Sequence, residues 1–115
     1  MVIYGIRNCN TVKNALIWLK SKGLDFDFHD YKSKGITEAK LKDWCSQVGW
    51  EALVNKKGTT WRQLEETEKQ RVVNEKTAIE LMLNKTSVIK RPLVEVNNKV
   101  MVLGFDEKEY SSKLK

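Results

Sequence analysis

Cys9 is the residue of this chain whose type and surroundings point most directly to chemistry. It lies in the polar loop Arg7-Asn8-Cys9-Asn10, between a short apolar run and a segment with helical periodicity. In such a turn, the unpaired N–H groups and the positive end of the helix dipole stabilise a thiolate over a thiol, and Arg7 can add positive charge. A thiolate is a nucleophile. The alternative is a small buried hydrophobic residue, and the position alone leaves both interpretations open.

The chain offers Cys9 no nearby thiol partner. The third residue after Cys9 is Val12, so there is no Cys-x-x-Cys pair, and the other cysteine, Cys45, shares an apolar helical stripe with Leu41 and Val48. We expect Cys45 to pack in the core. Disulfide chemistry at Cys9 must therefore use an external thiol. Two unrelated cysteines also argue against a disulfide scaffold and a metal site.

Arg91-Pro92 is the second informative position, because Pro92 is the only proline and stands where a strand is predicted to begin. A proline is tolerated at the first residue of a strand, and a cis bond before proline is found in only about 5% of cases. Arg91 is either an exposed charge or a planar fork that binds an anion or a carboxylate.

The elements that must position these residues follow from periodicity. Residues 2–6 are predicted to form a buried strand, and a helix capped by Thr11 is predicted to end at Gly23. The Thr11 hydroxyl would also lie close enough to donate to a sulfur or a bound anion. Residues 25–31 alternate polar and apolar side chains, which is typical of a strand. The chain therefore opens as β-α-β.

The middle of the chain is predicted to be helical and its end to be a hairpin and a helix. A helix with Thr37 as N-cap ends at Gly49. Shorter helices are expected over 50–54, 60–64 and 77–83, an exposed helix or loop over 65–76, strands over 93–96 and 99–103, and a helix from Asp106 to about residue 114. The order β-α-β, helical block, β-β-α predicts an α/β fold, with one mixed sheet covered by helices on both faces.

Composition excludes several classes of protein. The chain has 115 residues and 41% hydrophobic residues, which fits one folded domain. No apolar run approaches the ~20 residues of a membrane span, and no signal peptide precedes the first strand, so we expect a cytoplasmic protein. The net charge of +6 comes mostly from lysines scattered along helices. We therefore expect a solvated face, without nucleic-acid or membrane binding.

Four segments together resemble the arsenate reductase/Spx family (ArsC-like), most closely its YffB branch. They are residues 2–15 around Cys9, 50–61 between two tryptophans, 89–94 around Arg91-Pro92, and 102–105. The resemblance implies a thioredoxin-like mixed sheet in a single domain, 1–115, with a helical insertion over 35–85. It also implies that Cys9 is the nucleophile, that the bond before Pro92 is cis, and that Arg91 helps to hold an oxyanion or a glutathione carboxylate.

The resemblance further implies a redox function without a bound cofactor. It favours a glutathione-dependent thiol–disulfide reductase that acts through one cysteine, with glutathione as co-substrate and a small disulfide, thiol or oxyanion as substrate. The residues expected to bind substrate are Asn8, Asn10, Thr11, Lys56, Lys57 and Pro92.

Two alternatives remain from the resemblance. One is an Spx-like regulatory module that binds the RNA polymerase α-subunit, although Spx proteins often carry a Cys-x-x-Cys pair that is absent here. The other is an arsenate reductase. Those enzymes place further arginines where this chain has Asn55-Lys56-Lys57 and near its Gly104.

Overall fold

The computed structural model describes residues 1–114 and contains a four-stranded mixed sheet. The strands lie in the order β2-β1-β3-β4. β1 pairs with β2 in parallel, whereas β1 with β3 and β3 with β4 are antiparallel. The strands are β1 (Val2–Gly5), β2 (Asp27–Asp30), β3 (Leu93–Val96) and β4 (Lys99–Leu103). The predicted α/β architecture, with a β-α-β opening and a closing hairpin, is confirmed.

Helices connect and follow these strands. They are α1 (Asn10–Ser21), α2 (Tyr31–Lys34), α3 (Glu38–Val48), α4 (Trp50–Leu53), α5 (Thr59–Arg62), α6 (Glu66–Arg71), α7 (Glu75–Asn84) and α8 (Glu107–Lys113), with a 3₁₀ turn at Thr86–Val88. Within residues 1–114, none of these helices has the length and hydropathy needed to span a bilayer.

The contacts divide the chain into two compact units. The first contains Met1–Lys34 and the segment that begins at Arg91, and the second contains Gly35–Lys90. All four strands belong to the first unit, and the second is mainly helical. The single-domain assignment, with its insertion over 35–85, stays a prediction.

The first unit is built on one apolar cluster that joins the sheet to α1 and α8. The members of this cluster are buried side chains from β1, α1, β3, β4 and the C-terminal helix. They are Ile3, Ala15, Leu19, Val94, Val102, Tyr110 and Leu114. Because they lie on amphipathic helices and on alternate strand positions, their burial orients α1 on the sheet.

The second unit has its own buried side chains. Thr37 caps α3 by accepting from the Lys40 N–H at 3.2 Å, and Gly49 follows its last turn, as predicted. Cys45 is only 6% exposed, which confirms that it packs in the core. Trp44 on the same helix is fully buried.

The hairpin and the last helix follow the predicted local chemistry. Asn97 and Asn98 have positive φ angles of 51° and 64°, which a tight two-residue hairpin requires. Gly104 has a φ of 88°, a conformation that side chains rarely tolerate. Asp106 then caps α8 by accepting from the Lys108 N–H at 2.8 Å.

Two local predictions were wrong. The residue that caps α1 is Cys9, not Thr11, because α1 begins at Asn10 and Thr11 lies in its first turn. The second strand is Asp27–Asp30 instead of 25–31, and it ends there because the chain turns at Tyr31 into α2, a helix that was not predicted. The Lys32 N–H donates to the Asp30 carboxylate at 2.9 Å, which stabilises that turn in place of a further strand residue.

A close approach at Gly5 ties the end of β1 to the start of α1. A Cβ atom placed on Gly5 would lie 2.9 Å from Cγ2 and 3.3 Å from Cγ1 of Val12. Val12 is fully buried and, being β-branched, has little freedom to move. Glycine at position 5 therefore allows the first turn of α1 to lie against the strand.

We expect Gly5→Ala to lower the free energy of unfolding by about 1–3 kcal/mol, because the new methyl group displaces Val12. Urea unfolding of Gly5→Ala, Val12→Ala and the double variant measures the coupling between the two sites. The decrease in the free energy of unfolding of the double variant should be about 0.5–3 kcal/mol smaller than the sum of the decreases in the two single variants. Strictly additive losses would show that the two residues do not clash.

Candidate functional site around Cys9

The turn between β1 and α1 places Cys9 at the N-terminus of a 12-residue helix. Cys9 is the N-cap residue, with extended backbone angles, and its carbonyl accepts the first helical hydrogen bond from the Lys13 N–H at 2.9 Å. Its side chain is partly exposed. The residue is thus held by the helix start while its sulfur stays within reach of a reactant.

The surroundings of Cys9 favour its thiolate. Burial opposes ionisation, but the N–H groups of Val12 and Thr11 and the guanidinium of Arg91 outweigh it, so the pKa of Cys9 lies below its ordinary value. The neutral Cys9 side chain makes no cap hydrogen bond. The interaction of the Val12 and Thr11 N–H groups with the sulfur therefore gains strength as the sulfur becomes negative. A lowered pKa raises the fraction of nucleophilic thiolate at neutral pH.

Arg91 reaches Cys9 from the segment before β3. Its side chain donates a hydrogen bond to the sulfur and adds an attractive charge. The peptide bond between Arg91 and Pro92 is cis, as the family resemblance implied. Pro92 is buried, and its carbonyl accepts the Gly104 N–H at 2.8 Å, so the residue is fixed to the chain that follows β4.

A buried polar group lies in the same unit, and sequence reasoning did not single it out. The Tyr4 hydroxyl donates to Oε1 of Glu95 at 3.1 Å, although Glu95 is only 3% exposed. The Tyr31 ring stacks on Tyr4 at 6.3 Å. Burial raises the pKa of Tyr31, whose hydroxyl also experiences the charges of Arg91 and Glu95. Glu95 interrupts the apolar pattern of β3, and this is the sequence signal that could have predicted a buried polar group there.

Arg7 does not act on Cys9 in the expected way. Its Nε atom lies 3.6 Å from Oδ2 of Asp30, and its guanidinium lies 5.5 Å from the centre of the Phe28 ring. The cation that acts on the Cys9 thiol is Arg91. Arg7 instead forms part of the surface beside the turn.

The other residues predicted to bind substrate fall into two groups. Asn8, Asn10 and Thr11 are exposed and belong to the same turn as Cys9. Lys56 and Lys57 belong to the second unit, in the loop between α4 and α5.

The two lysines differ in their contacts. The Lys56 ammonium lies 5.7 Å from the Trp50 ring and 5.4 Å from the Trp61 ring, whereas the backbone N–H of Lys57 donates to the Asn55 side chain at 3.2 Å. Trp50 and Trp61 are half-buried. They flank the loop as aromatic neighbours of Lys56.

Cys45 has the opposite electrostatic character. Burial raises the pKa of its thiol to about 11, with a further contribution from the negative charge of Glu75. Neither cysteine forms a disulfide. Among residues 1–114, no group of three or more histidine, cysteine and acidic side chains is arranged to hold a metal ion.

Comparison with known proteins agrees with this architecture. The model of the ArsC family matches residues 4–112, and the chain belongs to that family. A solved structure of a protein named YffB superposes with a TM-score of 0.91 at 42% identity, covering 99% of this chain and 98% of the other. The fold is thioredoxin-like, as that similarity and the mixed sheet both indicate.

Two further relatives extend the comparison. An arsenate reductase (ArsC) related protein from Brucella melitensis has a TM-score of 0.79 at 42% identity, covering 99% of this chain and 93% of its own. The global transcriptional regulator Spx of Lactiplantibacillus plantarum is 21% identical over 95% of this chain and 82% of its own. The chain is thus similar both to a protein named as related to arsenate reductase and to one named as a transcriptional regulator.

We expect Arg91→Ala to shift the reactivity of Cys9 to higher pH, because the variant loses both the hydrogen bond and the positive charge at the sulfur. The measurement is the rate of iodoacetamide alkylation against pH in a Cys45→Ser background. The variant should react several-fold more slowly near pH 7 and recover at alkaline pH. Arg7→Ala is the matched control and should keep the parent profile. An unchanged profile in Arg91→Ala would contradict the assignment.

We expect Cys45 to be inert in the folded protein, because it is buried and its pKa is raised. The labelling time is the time that iodoacetamide at pH 8 needs to label Cys9 fully in the Cys45→Ser variant. After the same time, Cys45 in the Cys9→Ser variant should remain unmodified. In denaturing urea, Cys45 should label readily. Mass spectrometry measures the labelling. Equal labelling of Cys45 with and without urea would show that its thiol is accessible in the folded protein.

Proposed function

We propose that this protein is a glutathione-dependent thiol–disulfide reductase that uses Cys9 as its single nucleophile. The observation that carries the proposal is the contact between Arg91 and the partly exposed Cys9 sulfur at the start of α1. A thiol that is accessible and has a lowered pKa is suited to attack, whereas a structural cysteine needs neither property. Membership of the ArsC family supports a redox role for this cysteine.

The first step is attack on a mixed disulfide between a substrate thiol and glutathione. The Cys9 thiolate bonds to the glutathione sulfur, the substrate–glutathione S–S bond breaks, and the substrate leaves as a thiolate that takes a proton from water. Arg91 and the N–H groups of Thr11 and Val12 hold the attacking sulfur in its charged form. Thiol–disulfide exchange requires that charged form.

The second step restores the enzyme with an external thiol, because Cys45 is buried in the second unit and the chain has no other cysteine besides Cys9. A second glutathione thiolate attacks the glutathione sulfur on Cys9 and forms oxidised glutathione. Cys9 is released as a thiolate. In the net exchange the substrate sulfur is reduced to a thiol, the attacking glutathione is oxidised, and it leaves joined to the glutathione of the mixed disulfide as oxidised glutathione.

Recognition of glutathione needs cations and a backbone partner. Arg91 can pair its planar fork with a carboxylate. The exposed side chains of Asn8, Asn10 and Thr11 border the sulfur. The backbone beside Pro92 would pair with the peptide part of glutathione as an added strand does. A cytoplasmic location fits the proposal, because that compartment keeps a pool of reduced thiols.

We expect purified protein to reduce β-hydroxyethyl disulfide with glutathione, followed through glutathione reductase and NADPH. Cys9→Ser should abolish turnover, Arg91→Ala should lower it several-fold, and Cys45→Ser should leave it unchanged. Mass spectrometry after exposure to oxidised glutathione should find one adduct, on Cys9.

Two results would redirect the assignment. If Cys9 forms no adduct and shows ordinary alkylation, the thiol reductase proposal fails. An Spx-like binding role, tested by capture of the RNA polymerase α-subunit, would then take its place. If the protein reduces arsenate and does not reduce disulfides, it is an arsenate reductase.

A further inference from the structure

A groove beside the Cys9 turn combines positive charge with an apolar floor. It has a volume of about 350 Å³ and is lined by side chains of the turn, of α1 and of the chain at β2. We call it the α1 groove, and its lining residues are Arg7, Lys13, Leu16, Lys20, Phe26 and Phe28.

The charge of the α1 groove has one sign. The charged side chains that line it are Arg7, Lys13 and Lys20, all positive. Lys13 and Lys20 are exposed. Arg7 contacts Asp30 at 3.6 Å, yet its side chain remains 80% exposed. The groove therefore attracts an anionic partner, and its lysines are available to one.

The floor of the groove is apolar. Phe26, Phe28 and Leu16 line it, and all three are half-buried. An anion without apolar groups would leave this floor exposed to water. An acidic peptide with an aromatic or aliphatic side chain would cover it.

The position of the groove connects it to the nucleophile. The Lys13 N–H is bonded to the Cys9 carbonyl at 2.9 Å, and Arg7 precedes Cys9 by two residues. β2 is an edge strand of the sheet. The groove is therefore lined by residues that lie two and four positions from Cys9 along the chain.

We propose that the α1 groove docks an acidic peptide segment of a protein disulfide and presents its disulfide to Cys9. The inference rests on the proposed function and names its substrate class: proteins with acidic residues and an apolar side chain next to the reacting cysteine. With this substrate the Cys9 thiolate bonds to the peptide sulfur, the S–S bond breaks, and its other sulfur leaves as a thiolate. A glutathione thiolate then bonds to the Cys9 sulfur and releases the peptide as a thiolate, and the glutathione left on Cys9 is removed as in the second step above.

The test uses two cysteine peptides of equal length that share one phenylalanine. One carries glutamates and the other carries glutamines at the same positions, and each cysteine is activated as a disulfide with 5-thio-2-nitrobenzoate. Attack by Cys9 releases the coloured thiolate, which gives a rate constant in a Cys45→Ser background. We expect the acidic peptide to react about tenfold faster at low salt and the ratio to approach one at high salt.

Matched lysine variants locate the effect. Lys13→Gln/Lys20→Gln should bring the ratio of the two rates close to one, whereas Lys108→Gln/Lys113→Gln on α8 removes the same charge and should keep the parent ratio. Equal rates for both peptides in the parent would overturn the proposal. So would an equal loss of selectivity in both double variants, since net charge alone would then explain it.

Failure of the docking proposal can be distinguished from failure of the proposed function. Reaction of Cys9 with oxidised glutathione is measured on the same protein. A normal reaction there without peptide selectivity overturns the docking proposal alone, and no reaction with any disulfide overturns both. Competition by a single-stranded oligonucleotide that needs Lys13 and Lys20 would assign the groove to nucleic acid and overturn the peptide proposal.

Discussion

The antiparallel pairing of β1 with β3 is the constraint on which the site depends. Its register sets Tyr4 opposite Leu93, so the end of β1 lies beside the start of β3. Cys9 follows the first of these ends and Arg91 precedes the second. Two residues that are far apart in the sequence thereby meet, and the guanidinium reaches the sulfur. Any shift in that register would separate the Cys9 sulfur from the guanidinium that stabilises its thiolate.

The site also shows how a partly buried thiol can be ionised. Burial alone would keep Cys9 protonated, and two helix N–H groups with one guanidinium reverse that effect. Cys45 lacks such donors, so burial raises the pKa of its thiol. The contrast comes from where each cysteine lies along its helix, since Cys9 precedes α1 and Cys45 lies inside α3. Free N–H groups occur only at the first turn of a helix.

The two arginines near the turn have different contacts. Arg91 acts on the sulfur, whereas Arg7 is held by Asp30 and Phe28 at the surface. Glu95 and Tyr4 form a buried polar pair in the unit that holds Arg91. Their hydrogen bond satisfies groups that would otherwise destabilise the interior. Lys13 and Lys20 on α1 are exposed.

The sequence by itself determined the elements, because their signals are local. Hydrophobic periodicity predicted β1, α1, α3 and the hairpin, Asn97-Asn98 predicted its turn, and Asp106 predicted the last cap. A cysteine before a helix indicated a candidate nucleophile but left a buried structural cysteine equally open. The cap of α1 was misassigned because threonine is the commoner cap residue, and the end of β2 was missed because a side-chain bond from Asp30 turns the chain. Only the tertiary structure decided that Arg91, not Arg7, acts on Cys9, and that Glu95 is buried against Tyr4. Those contacts depend on strand register and on burial, which arise between segments that no local pattern connects.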